Sequence, residues 1–106
     1  MKKKIVIFGS TGSIGKSLIE ILKKDKKNFD VYLLTANRNI NELLHQTKLL
    51  TVRNIIVTDK KKFLLISKIL KNKKTNVYNS FNSIDKIFLK KKVDYTMSAI
   101  SGLAGL

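Results

Sequence analysis

The sequence contains no cysteine, no proline and no tryptophan. Without cysteine there are no disulfides and no thiolate metal sites. Long apolar runs are also missing. None approaches the ~20 residues needed to cross a bilayer. Lys2-Lys3-Lys4 followed by Ile5-Val6-Ile7-Phe8 superficially resembles a signal peptide. The apolar part is too short and runs straight into a glycine turn, so it reads as a first strand. A cytoplasmic location with no membrane partner is the default expectation. Acidic residues are scarce, 7 against 22 lysines and arginines, for a formal net charge of +15.

Such a charge invites a nucleic-acid reading. Its distribution argues against a specific one. The lysines form small runs at 2–4, 23–27, 60–62, 73–74 and 90–92, mostly beside element ends or loops. Aromatics are not interleaved with them as a base-stacking surface requires. Abundant lysine, asparagine and isoleucine, with neither proline nor tryptophan, match a compositional drift acting on solvated positions. The charge would still attract polyanions non-specifically at low salt.

What is present centres on Gly9-Ser10-Thr11-Gly12-Ser13-Ile14-Gly15. It lies between a short apolar run and a segment of helical periodicity, the context that gives a glycine motif meaning. Gly9 allows a sharp exit from the strand. Gly12 has no side chain to hold a diphosphate away from backbone N–H groups. Gly15 permits close packing of the helix on the strand. The helix start adds N–H donors and a partial positive charge. An ATP-binding phosphate loop is disfavoured, although Lys16 follows Gly15: that signature needs four residues between its glycines, and two separate Gly12 from Gly15.

The 106 residues suffice for one small α/β domain. Strands are expected at 4–8, 30–35, 54–58, 76–78 and 93–100. The first helix runs to about Lys24 with Ile14, Leu18, Ile21 and Leu22 inward. A second covers 40–50 with Ile40, Leu43, Leu44 and Thr47 inward and Asn39 as N-cap. His45 beside that face has no carboxylate or second histidine near it in sequence and reads as structural or exposed. A third helix covers about 60–71, capped by Thr58 or Asp59, with Leu65, Ile66, Ile69 and Leu70 inward. A fourth covers 83–90 with Ile84, Ile87 and Phe88 inward. The pattern specifies a Rossmann-like doubly wound parallel sheet, incomplete at the C-terminus.

The carboxyl ends of the strands are where such sheets bind ligands. An NAD site commonly places Asp or Glu after the second strand. Here stand Thr35-Ala36-Asn37-Arg38-Asn39. No carboxylate in that stretch repels a ribose 2′-phosphate, and Arg38 can pair with one, at roughly 1–4 kcal/mol for charges about 4 Å apart. That favours NADP over NAD. Beyond the last strand, the small residues Ala99, Ser101 and Gly102 let a cofactor approach the backbone, unless they only form a turn into a further helix.

Three stretches in order carry a more specific likeness: the glycine motif, Ala36-Asn37-Arg38-Asn39, and Val93-Asp94 with Met97-Ser98-Ala99-Ile100-Ser101-Gly102-Leu103-Ala104-Gly105-Leu106. Together they resemble 1-deoxy-D-xylulose 5-phosphate reductoisomerases across essentially the whole chain. The resemblance implies the NADPH-binding portion of an oxidoreductase that rearranges and reduces 1-deoxy-D-xylulose 5-phosphate to 2-C-methyl-D-erythritol 4-phosphate in non-mevalonate isoprenoid biosynthesis. It implies that Thr11, Gly12, Ser13 and Ile14 cradle the cofactor diphosphate and that Asn37, Arg38 and Asn39 contact the adenosine phosphate. Ala99, Ile100, Ser101 and Gly102 complete the expected cofactor contacts. The family often has glycine and lysine where this chain has Asn37 and Arg38; arginine keeps the charge.

The resemblance covers residues 1–106 as a truncated N-terminal NADPH-binding domain. The family's metal ligands, substrate-phosphate contacts and C-terminal domain lie later in its sequence. A divalent metal, Mg or Mn, the phosphosugar substrate and a homodimer are therefore expected of the full-length enzyme, and no activity of these 106 residues alone. Two alternatives stand beside it. One is another NADP-dependent oxidoreductase with a GxxGxxG turn, such as a semialdehyde dehydrogenase or a sugar epimerase. The other is a non-enzymatic basic module binding polyanions through its lysines.

Overall fold

The first apolar run forms strand β1 (Lys3–Phe8), and its centre, Ile5, Val6 and Ile7, is completely buried. A computed structural model describes residues 3–71, 73–80 and 82, and the backbone of 95–98. From β1 the chain alternates through helix α1 (Ser13–Lys23), β2 (Phe29–Ala36), α2 (Ile40–Leu50), β3 (Asn54–Val57), α3 (Lys60–Ile69), β4 (Asn76–Tyr78) and β5 (Tyr95–Ser98). The strands pair in parallel in the order β4-β3-β2-β1-β5. The chain thus builds outward from β1 to the β4 edge, and β5 pairs with the other side of β1. That reversal of direction at β1 is the switch point of a doubly wound sheet.

The expected helix over 83–90, with Ile84, Ile87 and Phe88, lies outside the described residues, as do the ends of the strand expected over 93–100. The other expected strands are present to within two residues at either end.

Two apolar layers flank the sheet. Ile5, Ile7, Val31, Leu34, Ala36, Ile55 and Val57 face the helices, where they meet Ile19, Leu22, Leu43 and Ile66. Val6, Tyr32, Leu33 and Ile56 face the other way. Alternation breaks in β2: Ile5 lies opposite Val31, but Val6 lies opposite Leu33. The extra residue, Tyr32, is a β-bulge. It places two successive side chains on one face and turns Leu34 and Ala36 toward the helices.

Two helix faces differ from their sequence patterns by one residue. In α1 the buried positions are Gly15, Ile19 and Leu22, whereas Ile14 and Ile21 are 54% and 62% exposed. Gly15 packs against the backbone of Ser10, which fixes the rotation of the helix. Ile19 and Leu22 then fall beneath it, and Ile14 and Ile21 turn away by about 100°. In α3 the inward residues are Ile66, Leu70 and the half-buried Phe63, whereas Leu65 and Ile69 are 52% and 49% exposed. Among the described elements this helix packs mainly on β3 and the edge strand β4, with α2 at its side, so a narrow stripe suffices. In α2 the buried set is Ile40, Leu43, Gln46 and Thr47, with Leu44 half-buried.

The described lysine runs sit where the sequence suggested. Lys23 and Lys24 end α1, Lys26 and Lys27 lie in the following turn, Lys60 to Lys62 start α3, and Lys73 and Lys74 precede β4. All are exposed except the half-buried Lys62. Among the described residues no helix is long and apolar enough to cross a membrane.

Candidate functional site

β1 delivers the chain to Gly9 at its carboxyl end, and Gly9 has φ +74°, a conformation that L side chains rarely adopt. The turn then bends into α1, whose N-cap is Gly12 with φ −78°. Among the described residues no side chain caps this helix start. An anion is therefore the natural partner for the N–H groups there. Among the described residues a Cβ on Gly12 would meet only Gly9 O, at 3.9 Å, so they leave the space in front of this backbone open. A Cβ on Gly15 would stand 2.4 Å from the backbone of Ser10. The third glycine thus serves contact between the helix and the turn itself. Thr11 is half-buried; Gly12, Ser13 and Ile14 are exposed at the mouth.

β2 holds the turn in place. Gly9 N–H donates to Thr35 Oγ1 at 2.8 Å, and Ser10 N–H donates to Thr35 O at 3.0 Å. Two residues past Thr35 the chain enters Asn37-Arg38-Asn39, all exposed. The diphosphate and adenosine-phosphate candidates therefore lie at the carboxyl ends of adjacent strands, bridged by hydrogen bonds between them. Asn39 Oδ1 accepts from Glu42 N–H at 3.2 Å, confirming it as the N-cap of α2. Asn37 Oδ1 accepts from Thr58 Oγ1 at 2.9 Å, which ties this loop to the end of β3.

Arg38 has a partner that local sequence does not show. Its Nε lies 3.6 Å from Asp59 Oδ1, while Asp59 Oδ2 accepts from Lys62 N–H at 3.0 Å and caps α3. The stretch 35–39 itself holds no carboxylate, and the turn after β3 brings Asp59 beside Arg38 from outside it. The contact is made through Nε, and the side chain is 75% exposed. A guanidinium carries five N–H donors, so its terminal nitrogens retain the fork geometry suited to a phosphate.

Sequence reasoning missed Thr35, Ser10 and Gln46. Ser10 and Gln46 are completely buried, and Gln46 Nε2 donates to Ser10 O at 2.9 Å across 36 residues. Polar residues on otherwise apolar faces were the available signal. Ala99, Ile100, Ser101 and Gly102 lie outside the described residues. His45 is exposed. Among the described residues no three His, Cys, Asp or Glu side chains come together to hold a metal. A cavity of about 690 Å³ opens at the opposite edge of the sheet, lined by Phe29, Val31, Val52 and Thr75. It faces the amino ends of the strands, away from the glycine turn, and ligands of such sheets bind at the carboxyl ends.

Comparison with known proteins bears on the family and the fold. A sequence model of the family described as 1-deoxy-D-xylulose 5-phosphate reductoisomerase matches residues 5–106. A protein of that name from Pelagibacter ubique (strain HTCC1062) is 56% identical over 105 residues, covering 98% of this chain and 27% of the relative. Its counterpart from Wigglesworthia glossinidia brevipalpis is 41% identical over 107 residues, with 98% and 27% covered. The chain thus spans about a quarter of the length of these curated relatives. Among solved structures, the reductoisomerase from Zymomonas mobilis in complex with NADPH superposes with a TM-score of 0.83 at 23% identity, covering 94% of this chain and 26% of that one. A DOX-P reductoisomerase in complex with NADPH, fosmidomycin and magnesium gives 0.81 at 21% identity, with 92% and 24% covered. At such identities the superpositions establish the α/β fold.

Proposed function

This chain belongs to the 1-deoxy-D-xylulose 5-phosphate reductoisomerase family, and from that premise we propose that residues 1–106 are the amino-terminal NADPH-binding domain of such an enzyme. The observation that carries the reading is the glycine turn. A positive φ at Gly9, open space before Gly12 and an uncapped helix start fit a dinucleotide diphosphate. Thr11, Gly12, Ser13 and Ile14 would hold it through backbone N–H groups. Asn37, Arg38 and Asn39 would receive the adenosine phosphate, with Arg38 supplying the charge. Ala99, Ile100, Ser101 and Gly102 would line the cofactor beyond the last strand.

Bound there, NADPH supplies a hydride. In the complete enzyme the acceptor is the rearranged carbon skeleton of 1-deoxy-D-xylulose 5-phosphate, and the product is 2-C-methyl-D-erythritol 4-phosphate. The relative crystallised with NADPH, fosmidomycin and magnesium supports the cofactor and magnesium as the divalent metal, with manganese as the alternative ion. The described residues assemble no metal ligands. The substrate and metal would be positioned by later parts of the family's sequence, so these 106 residues alone would bind NADPH without turnover. A cytoplasmic homodimer is the assembly proposed for the complete enzyme, and its charge is assigned no specific nucleic-acid partner.

The test is a calorimetric titration of the chain with NADPH and NADH. Tighter binding of NADPH is expected, with loss of both in Gly12→Val. Unchanged binding by a folded Gly12→Val chain would sink the dinucleotide reading. Binding that instead collapses steeply with salt across many lysines would favour the polyanion module.

A further inference from the structure

We infer that Gln46, in the middle of α2, is a positioning residue that aims the backbone of the glycine turn at the cofactor diphosphate. The inference rests on the proposal that this turn binds NADPH. Three consecutive peptide groups of the turn are each held by a separate hydrogen bond. The Phe8–Gly9 group donates its N–H to Thr35 Oγ1, and the Gly9–Ser10 group donates to Thr35 O. The Ser10–Thr11 group accepts through Ser10 O from Gln46 Nε2 at 2.9 Å. β2 therefore fixes the first two, and α2 fixes the third.

The third group matters most for an anion. A trans peptide is planar, and its C=O and N–H point in opposite directions. Drawing Ser10 O inward to Gln46 directs Thr11 N–H away from α2, on the outward side of the turn. The neighbouring residue, Gly12, is the N-cap of α1, so the aimed N–H adjoins the helix start. Gly15 closes the arrangement from the helix side, since its Cα face touches the Ser10 backbone. Ser10 cannot rotate without breaking one of these contacts.

Gln46 is also an expensive way to fill space. Its Nε2 makes a second bond to Glu42 Oε2 at 3.1 Å, but among the described residues Oε1 is buried without a partner, as is Ser10 Oγ. A leucine or methionine would fill the same volume without burying an unmet acceptor. The amide's donor, directed at Ser10 O, is what a hydrocarbon cannot supply.

Gln46→Met removes the donor while keeping the side chain's length. Wild type and variant are titrated with NADPH and with adenosine 2′-monophosphate, which carries the ribose phosphate but no diphosphate. The expected result is a loss of about tenfold or more for NADPH, the worth of one hydrogen bond to a charged group, with adenosine 2′-monophosphate unaffected. A merely structural role would change both ligands alike or neither; either pattern overturns the inference. Should the variant not fold, NMR of the wild-type chain decides. Gln46 side-chain amide protons and Thr11 N–H should shift with NADPH and stay in place with adenosine 2′-monophosphate. A Gln46 amide indifferent to NADPH overturns the inference while the binding proposal stands. Absence of any NADPH binding by wild type refutes the parent reading, and this one with it.

Discussion

Replacing Gly15 by alanine adds one methyl group where the structure leaves no room for it. The new Cβ would stand 2.4 Å from both C and O of Ser10 and 2.5 Å from its Cα. Carbon atoms rest at about 3.5 Å or more, so the helix start and the turn must separate by about 1 Å. Neither side yields easily, because Ser10 is bonded through N–H to Thr35 and through O to Gln46. Overpacking of this kind costs about 1–3 kcal/mol, and backbone neighbours place it toward the upper part of that range. Alanine's better helix propensity offsets at most about 1 kcal/mol. The net loss of about 1–2 kcal/mol lowers Tm by roughly 5–15 °C in a domain of this size. Gly12→Ala is the matched control. Among the described residues its Cβ meets nothing closer than 3.9 Å, and its φ of −78° suits any residue. A poorer N-cap, about 0.5–1 kcal/mol, is balanced by about 0.4–1 kcal/mol of lost freedom in the unfolded chain. Thermal denaturation should therefore separate the two: Gly15→Ala melts early, and Gly12→Ala melts with wild type yet loses NADPH. A Gly15→Ala chain as stable as wild type would refute the close approach of α1 to Ser10.

Arg38→Ala should narrow the preference for NADPH over NADH by about tenfold or more, read by parallel titrations; an unchanged ratio would remove Arg38 from the phosphate site. Asp59→Asn should keep the α3 cap and change stability by less than about 1 kcal/mol, because the Arg38 pair is largely exposed. Asp59→Ala should lose about 1 kcal/mol through the missing cap, measured by urea denaturation. Thr51 ends α2 with φ +53°, a left-handed conformation that costs a β-branched residue about 1–2 kcal/mol. Thr51→Gly should raise Tm by a few degrees after about 0.4–1 kcal/mol of added unfolded-chain entropy is subtracted.

The order of the described elements was legible mainly because β1, β2 and β3 carry short apolar runs and α1, α2 and α3 are longer periodic segments. Caps were legible for the same local reason: Asn39 and Asp59 bond to N–H groups three residues on. Rotation of the helices was not. Ile14, Leu18, Ile21 and Leu22 form as good an apolar stripe on paper as Gly15, Leu18, Ile19 and Leu22. Hydropathy gives a glycine no weight, yet the Gly15–Ser10 contact sets which stripe faces inward. The bulge at Tyr32 escaped too, since an uninterrupted apolar strand shows no alternation from which a slip could be read.

For the site, sequence shows which residues can approach a phosphate and not what holds them there. The glycine spacing is local, and so is the cation after β2. The parts that give them direction come from far along the chain: Thr35 lies 26 residues from Gly9, Gln46 lies 36 from Ser10, and Asp59 lies 21 from Arg38. Each is a polar side chain that an element-by-element reading assigns to solvent, a cap or a helix face. A backbone cradle recognises an anion only if its N–H groups are already aimed, because every peptide group left free to rotate must be ordered when the ligand arrives. The three bonds from Thr35 and Gln46 complete that ordering during folding. Affinity at the turn should therefore respond to changes in β2 and α2 that never touch the cofactor, and respond through the diphosphate rather than through the adenosine.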